Sequence, residues 1–177
     1  MRRAADWIAR YQRFDDGVKE QPRGWPHRSK ACWGRHTCHM GAIKALKALA
    51  EIPVRERTAA VSDTIARGAG YFLAHHVYKR SHDPSWVAGS EWVEFGFPVL
   101  WTTDALDVLL VLTSPGYRDA RMQDAVDLVV SKQDSRGKRT LERSFSGRMR
   151  ARINARSQPS KWVTLNALRA LKALFSG

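Results

Sequence analysis

Apolar residues recur three and four positions apart over six stretches, a spacing that predicts helices. Ala4 to Gln12 carries Trp7, Ile8 and Tyr11 at helical spacing and stops at Asp15-Asp16-Gly17. From about Arg35 to Ala50 runs a central helix whose one face is Cys38, Ala42, Ala45, Leu46 and Leu49, with Lys44, Lys47 and Glu51 on another; Pro53 ends it. Ser62 or Asp63 is placed to cap a third helix through Val77, with Ile65, Ala69, Phe72 and Leu73 as its buried stripe. Pro98 suits the first turn of a fourth helix reaching Thr113, Asp119 caps a fifth from Ala120 to Gln133, and Lys161 to Phe175 is the last. The connecting segments differ in kind. Lys79 to Phe97 is rich in aromatics, whereas Asp134 to Ser160 is irregular and basic. No stretch requires a strand, although Arg139 to Ile153 has room for a short hairpin, so the expected class is all-α in a single domain spanning 1–177.

The apolar pattern repeats. Gly41-Ala42-Ile43-Lys44-Ala45-Leu46, Asp104-Ala105-Leu106-Asp107-Val108-Leu109 and Asn166-Ala167-Leu168-Arg169-Ala170-Leu171 align at spacings of 63 and 62 residues. Each unit is a helix, a polar loop and a second helix entered at an aromatic residue, and such units bury their faces only by stacking.

Charge adds a partner class to this picture. Thirty Lys and Arg against 17 Asp and Glu leave +13, a field that attracts nucleic acid, phosphorylated ligands or acidic headgroups. The longest apolar run is far short of a spanning helix, and Asp6, Arg10 and Arg13 break any apolar leader, so a cytoplasmic location without a membrane span is expected. Cys32 and Cys38, if on one helix, lie about 9 Å apart, which predicts free thiols.

Three clusters carry candidate chemistry. His36, Cys38 and His39, with Cys32 upstream, are ligand types that zinc accepts, although Cys38 points away from the two imidazoles on a helix and no finger spacing is present. A core thiol beside locally bonded imidazoles is the favoured reading, and zinc is not. His75 and His76 fall at a helix C-terminus, where capping explains them, while His82 beside Asp83, or reached by Asp104, has the makings of a general base. The segment Lys138 to Arg156 offers guanidinium forks to a diphosphate or a nucleic-acid backbone, with Phe145 its one aromatic.

Helix pairs with Gln and Gly at the turn, Cys32 to Leu49, His75 to Asp83, Phe95-Gly96-Phe97-Pro98, Ser131-Lys132-Gln133-Asp134 and Pro159-Ser160-Lys161-Trp162 together resemble the α/α-toroid superfamily of terpenoid cyclases and protein prenyltransferase β-subunits. Within it they look most like the bacterial squalene-cyclase-like, prenyltransferase-repeat proteins. The resemblance implies toroid-type helical hairpin repeats, about six helices forming a partial ring: an open arc, half of a ring that a homodimer completes, or a fragment of a longer toroid. It places Trp33, Arg35, His36, Trp101, Trp162 and Asn166 at the mouth of an aromatic-lined cavity for an apolar or isoprenoid-type ligand. Were the chain an enzyme of this kind, Asp104 or His39 would be its acid. The sequence departs from the pattern: Gln133 and Gly137 keep the spacing of Gln-x-x-x-Gly-x-Trp, but Arg139 replaces the Trp, and neither Asp-x-Asp-Asp nor Asp-x-Cys occurs. The fold transfers and the reactions do not. The alternative is a non-enzymatic module docking on nucleic acid or a protein through its basic surface.

Overall fold

The computed structural model describes residues 2–17, 19–20, 23, 37–145, 150 and 153–175. The chain forms two compact units, Met1–Tyr71 and Phe72–Gly177.

In the first unit, α1 (Arg2–Tyr11) precedes α2 (His39–Ala50), and α3 (Ala59–Ala74) runs on into the second. The stripe expected of α2 is the buried one: Ala42, Ala45, Leu46 and Leu49 are interior, joined by Ile43, while Lys44 and Lys47 stay partly in water. Glu51 closes the helix through its backbone N–H, which reaches the Lys47 carbonyl. The third helix starts earlier than predicted. Thr58, not Ser62 or Asp63, receives the first free N–H, its Oγ1 accepting from Val61 N at 3.3 Å, and the helix starts four or five residues earlier as a result. Phe14 and Leu46 pack so closely on α3 that a Cβ at Gly68 would stand 2.9 and 3.1 Å from them. Between α1 and α2, Arg13 is buried and reaches Asp15 Oδ1 with its Nε at 2.9 Å and the Gly17 carbonyl at 2.7 Å. Thr37 ties the same turn to α2 by donating to the Asp15 carbonyl at 2.6 Å.

The second unit contains the end of α3, α4 (Ala105–Thr113), α5 (Gln123–Ser131), α6 (Lys161–Phe175) and four short strands. Strands β1 (Lys79–Arg80) and β2 (Asp83–Val87) form one antiparallel pair; β3 (Arg139–Thr140) and β4 (Pro159–Ser160) form another. The all-α, toroid-type expectation is therefore overturned by two two-stranded antiparallel sheets. Strands of two to five residues are too short to imprint a two-residue alternation on the sequence. Where the sequence left room for a hairpin between Arg139 and Ile153, Arg139 instead pairs with Ser160 across the basic segment.

Other boundaries shift for local reasons. α3 ends at Ala74, and His76 and Val77 follow with φ of 43° and 73°, where Val77 N–H closes onto the Phe72 carbonyl at 2.8 Å. Val77 accepts this unfavourable backbone region while fully buried. Pro98 does not open α4. The Phe97–Pro98 peptide is cis, and the helix begins after Asp104. Asp119 does cap, as expected, but caps a single 3-10 turn, Ala120–Met122, that precedes α5. The predicted bounds of α6 are those observed. It lies against α4 and β3, burying Val163, Ala167 and Ala170, while Phe72, Phe95, Leu109, Leu112, Met122 and Leu141 fill the unit's core.

Candidate functional site

The residues singled out from sequence fall into three groups. Trp33, Arg35 and His36, together with Cys32, lie outside the described residues. Of the proposed metal set this leaves Cys38, half-buried just before α2 with no capping bond, and His39 at its first turn. The Tyr71 hydroxyl lies 2.9 Å from His39 Nδ1, and the two rings meet edge to face at 5.1 Å. Burial raises the Tyr71 hydroxyl well above its ordinary pKa, and Asp16 and Cys38 push the same way, so this phenol stays protonated as a hydrogen-bond donor. Among the described residues no group of three or more His, Cys, Asp or Glu is arranged to hold a metal ion.

Asp104, the candidate acid, is the N-cap of α4. Its Oδ1 accepts from Asp107 N at 2.8 Å and its Oδ2 from Gly96 N at 2.8 Å, so one carboxylate pins both the helix start and the preceding loop. Burial raises its pKa to about 6 against the pull of those two N–H groups; Asp107 adds to the rise and Arg143 opposes it. Arg143 meanwhile donates to the Thr103 carbonyl at 2.7 Å, and Thr103 Oγ1 donates to Asp107 Oδ2 at 3.0 Å. Thr103, Asp104 and Asp107 are interior, and both oxygens of Asp104 bond the chain's own backbone.

His75 and His76 directly follow the last residue of α3. His75 Nδ1 lies 2.9 Å from the Lys79 carbonyl, and His76 Nδ1 lies 3.2 Å from Asp124 Oδ2, which also receives Lys79 Nζ at 2.7 Å. His82 is exposed in the β1–β2 turn. The Asp83 carboxylate is taken by Ser85, whose N–H and hydroxyl both donate to Oδ1, and these bonds hold Asp83 below the usual carboxylate range. Neither Asp83 nor Asp104 orients His82.

Of the expected cavity aromatics, Trp162 stacks on Phe97 at 5.0 Å with planes 7° apart, and Trp101 leans on Phe145 at 4.4 Å while remaining 57% exposed. Asn166 is half-buried on α6. Trp162 Nε1 is buried without an acceptor among the described residues.

Sequence reasoning missed the concave surface that the second unit does present. A groove of about 490 Å³ opens at the start of α6, within the size range of small-ligand sites. Lys138, from the turn before β3, and Lys161 line it with positive charge; Ile153, Leu165 and Leu168 supply apolar wall. Asn154 Nδ2 donates to Ser160 Oγ at 2.7 Å, and Ser160 Oγ accepts from Val163 N at 3.3 Å, so the polar floor is also the cap of α6. A signal was present in the α6 sequence. Its small Ala167 and Ala170 are buried while its larger Leu165 and Leu168 are exposed, an inversion of ordinary burial.

Comparison with protein-family models, curated proteins and solved structures yields no match for this chain.

Proposed function

We propose that the chain binds a small anionic amphiphile, an isoprenoid phosphate or diphosphate, in the groove at the start of α6. The observation that carries this reading is the pairing of two ammonium groups, Lys138 and Lys161, with an apolar wall of Ile153, Leu165 and Leu168 in one concavity. A phosphate head meets the lysines and the positive end of the α6 dipole. A short apolar tail leaves water against the leucines. The resemblance of the sequence to isoprenoid-handling proteins favours a prenyl tail over an acyl one. Asp104 and His39 take no part, because each is committed to the fold by hydrogen bonds to its neighbours.

Thermal unfolding in the presence of geranyl diphosphate tests this. Binding at a hundredfold excess over Kd stabilises by about 2.7 kcal/mol and raises Tm by several degrees. Lys138→Ala with Lys161→Ala removes the shift, and inorganic diphosphate or geraniol alone gives a smaller one. An unchanged melt with geranyl diphosphate ends the proposal. The basic surface supports nucleic-acid docking as a second reading, carried by the +13 charge alone.

A further inference from the structure

We infer that the outward face of α6 is a docking surface for an anionic lipid bilayer. The helix turns its small residues, Val163, Ala167 and Ala170, into the unit and leaves Leu165, Leu168 and Phe175 at 45%, 53% and 73% exposure. At 3.6 residues per turn, Phe175, Leu168, Lys161, Lys172, Leu165 and Arg169 fall within a sector of about 120°. Apolar tips and cationic heads thus share one face, with the lysine stems able to lie along apolar surface while their ammonium groups stay in water.

Each kind of residue on this face restricts its partner. Three cations on a chain of net charge +13 exclude a basic partner and work against a second copy of the chain. Exposed Leu, Leu and Phe have no use for a phosphodiester backbone, which asks for cations and stacking rings. A headgroup layer with acyl chains beneath it satisfies both, since large apolar residues interleaved with Lys and Arg are what holds a helix in the plane of an anionic interface. Among the described residues no helix is long and apolar enough to cross a membrane, so the attachment is to the surface. Lys161, Leu165 and Leu168 also line the groove, whereas Phe175 and Lys172 lie beyond it. The face therefore goes further than the ligand reading and can be tested apart from it.

The experiment is co-sedimentation of the full chain with phosphatidylcholine vesicles, with and without phosphatidylglycerol, comparing Phe175→Gln and Lys172→Gln with the unaltered chain. Both positions are exposed, and circular dichroism confirms that the variants fold. Binding is expected to require phosphatidylglycerol, to fall about fivefold with Lys172→Gln, and to fall at least as far with Phe175→Gln. Three results overturn the inference: no binding to the anionic vesicles; binding that Phe175→Gln leaves unchanged, which marks a general polyanion surface; or a dimer by light scattering that Phe175→Gln dissolves, which assigns the face to a second copy. Failure of the geranyl diphosphate shift with vesicle binding intact removes the groove reading alone.

Discussion

Gly68 and Gly70 stand two positions apart in α3 and meet different surroundings. A methyl group at Gly70 has nothing within 4 Å, whereas one at Gly68 would come within 2.9 Å of the Phe14 ring and 3.1 Å of Leu46. Replacing a helix-interior glycine by alanine gains about 1 kcal/mol, so Gly70→Ala should stabilise by that amount. At Gly68 the same gain is set against overpacking of about 1–3 kcal/mol, and Gly68→Ala should destabilise by about 1 kcal/mol. Opposite shifts of the urea midpoint are expected, and two upward shifts would show that Phe14 yields freely. Asp104 sets a pH dependence at the same scale. Its folded pKa of about 6 exceeds the ordinary 3.8, so the folded chain holds a proton that the unfolded chain releases between those values. The contribution is therefore full below about pH 4 and is lost as pH rises through 6, amounting to about 3 kcal/mol at about 1.4 kcal/mol per pH unit. Asparagine is an equally good N-cap that does not titrate. The stability difference between the unaltered chain and Asp104→Asn should change by this amount between pH 4 and pH 7.5, and a constant difference would refute the assignment.

At the scale of elements, Arg139 is a buried cation with a structural task. The turn it follows is built by Asp134, whose Oδ1 accepts from Arg136 N at 2.9 Å and Lys138 N at 2.8 Å, with Gly137 at φ 77°. Arg139 then runs inward and is buried. Its Nε donates to the Val129 carbonyl at 2.9 Å and its Nη2 to Gln133 Oε1 at 3.2 Å, while Nη1 has no acceptor among the described residues. Among the described residues no carboxylate pairs with it, and burial lowers its pKa. The negative end of α5 is its counter-charge. Arg139→Ala, which leaves a void and unbonded carbonyl groups, should cost about 3 kcal/mol; Arg139→Met, which keeps the volume and removes the buried charge, should cost about 1 kcal/mol or less. Equal losses in chemical denaturation would mean that the hydrogen bonds, not the volume, are what matters.

The same elements show what could be read beforehand. The stripes of α2 and α3 and both ends of α6 were legible because helical periodicity is local and each stripe is long. The start of α4 was not, since Pro98 carries the helix-start signal while the cap is made by Asp104 six residues later, through bonds to both Gly96 and Asp107. Strands β1 to β4 left no periodic trace, and their pairing joins Arg139 to Ser160 over a distance no local pattern reports. For the groove, the basic segment was recognisable through Lys138. That it meets the leucines of α6 depends on that same long-range pairing.

For the whole molecule, the dominant quantity is the excess of 30 basic over 17 acidic residues. Like charges at this density repel across the folded surface, and unfolding relieves the repulsion by spreading the chain. Several of the ion pairs join residues close in sequence, such as Arg13 with Asp15 and Arg121 with Asp119, so part of their attraction survives in the unfolded chain. Raising salt shortens the screening length from about 30 Å at 0.01 M to about 8 Å at 0.15 M. That spans the distances over which the net charge acts and exceeds the separation within an ion pair, so repulsion is screened more than attraction. Tm should accordingly rise by a few degrees across this range of sodium chloride. Sulfate at matched ionic strength should raise it further if Lys138 and Lys161 gather an anion in the groove, and Lys138→Ala with Lys161→Ala should abolish the sulfate excess while leaving the chloride effect. A Tm that falls with added sodium chloride would mean that attraction between specific pairs outweighs the net charge.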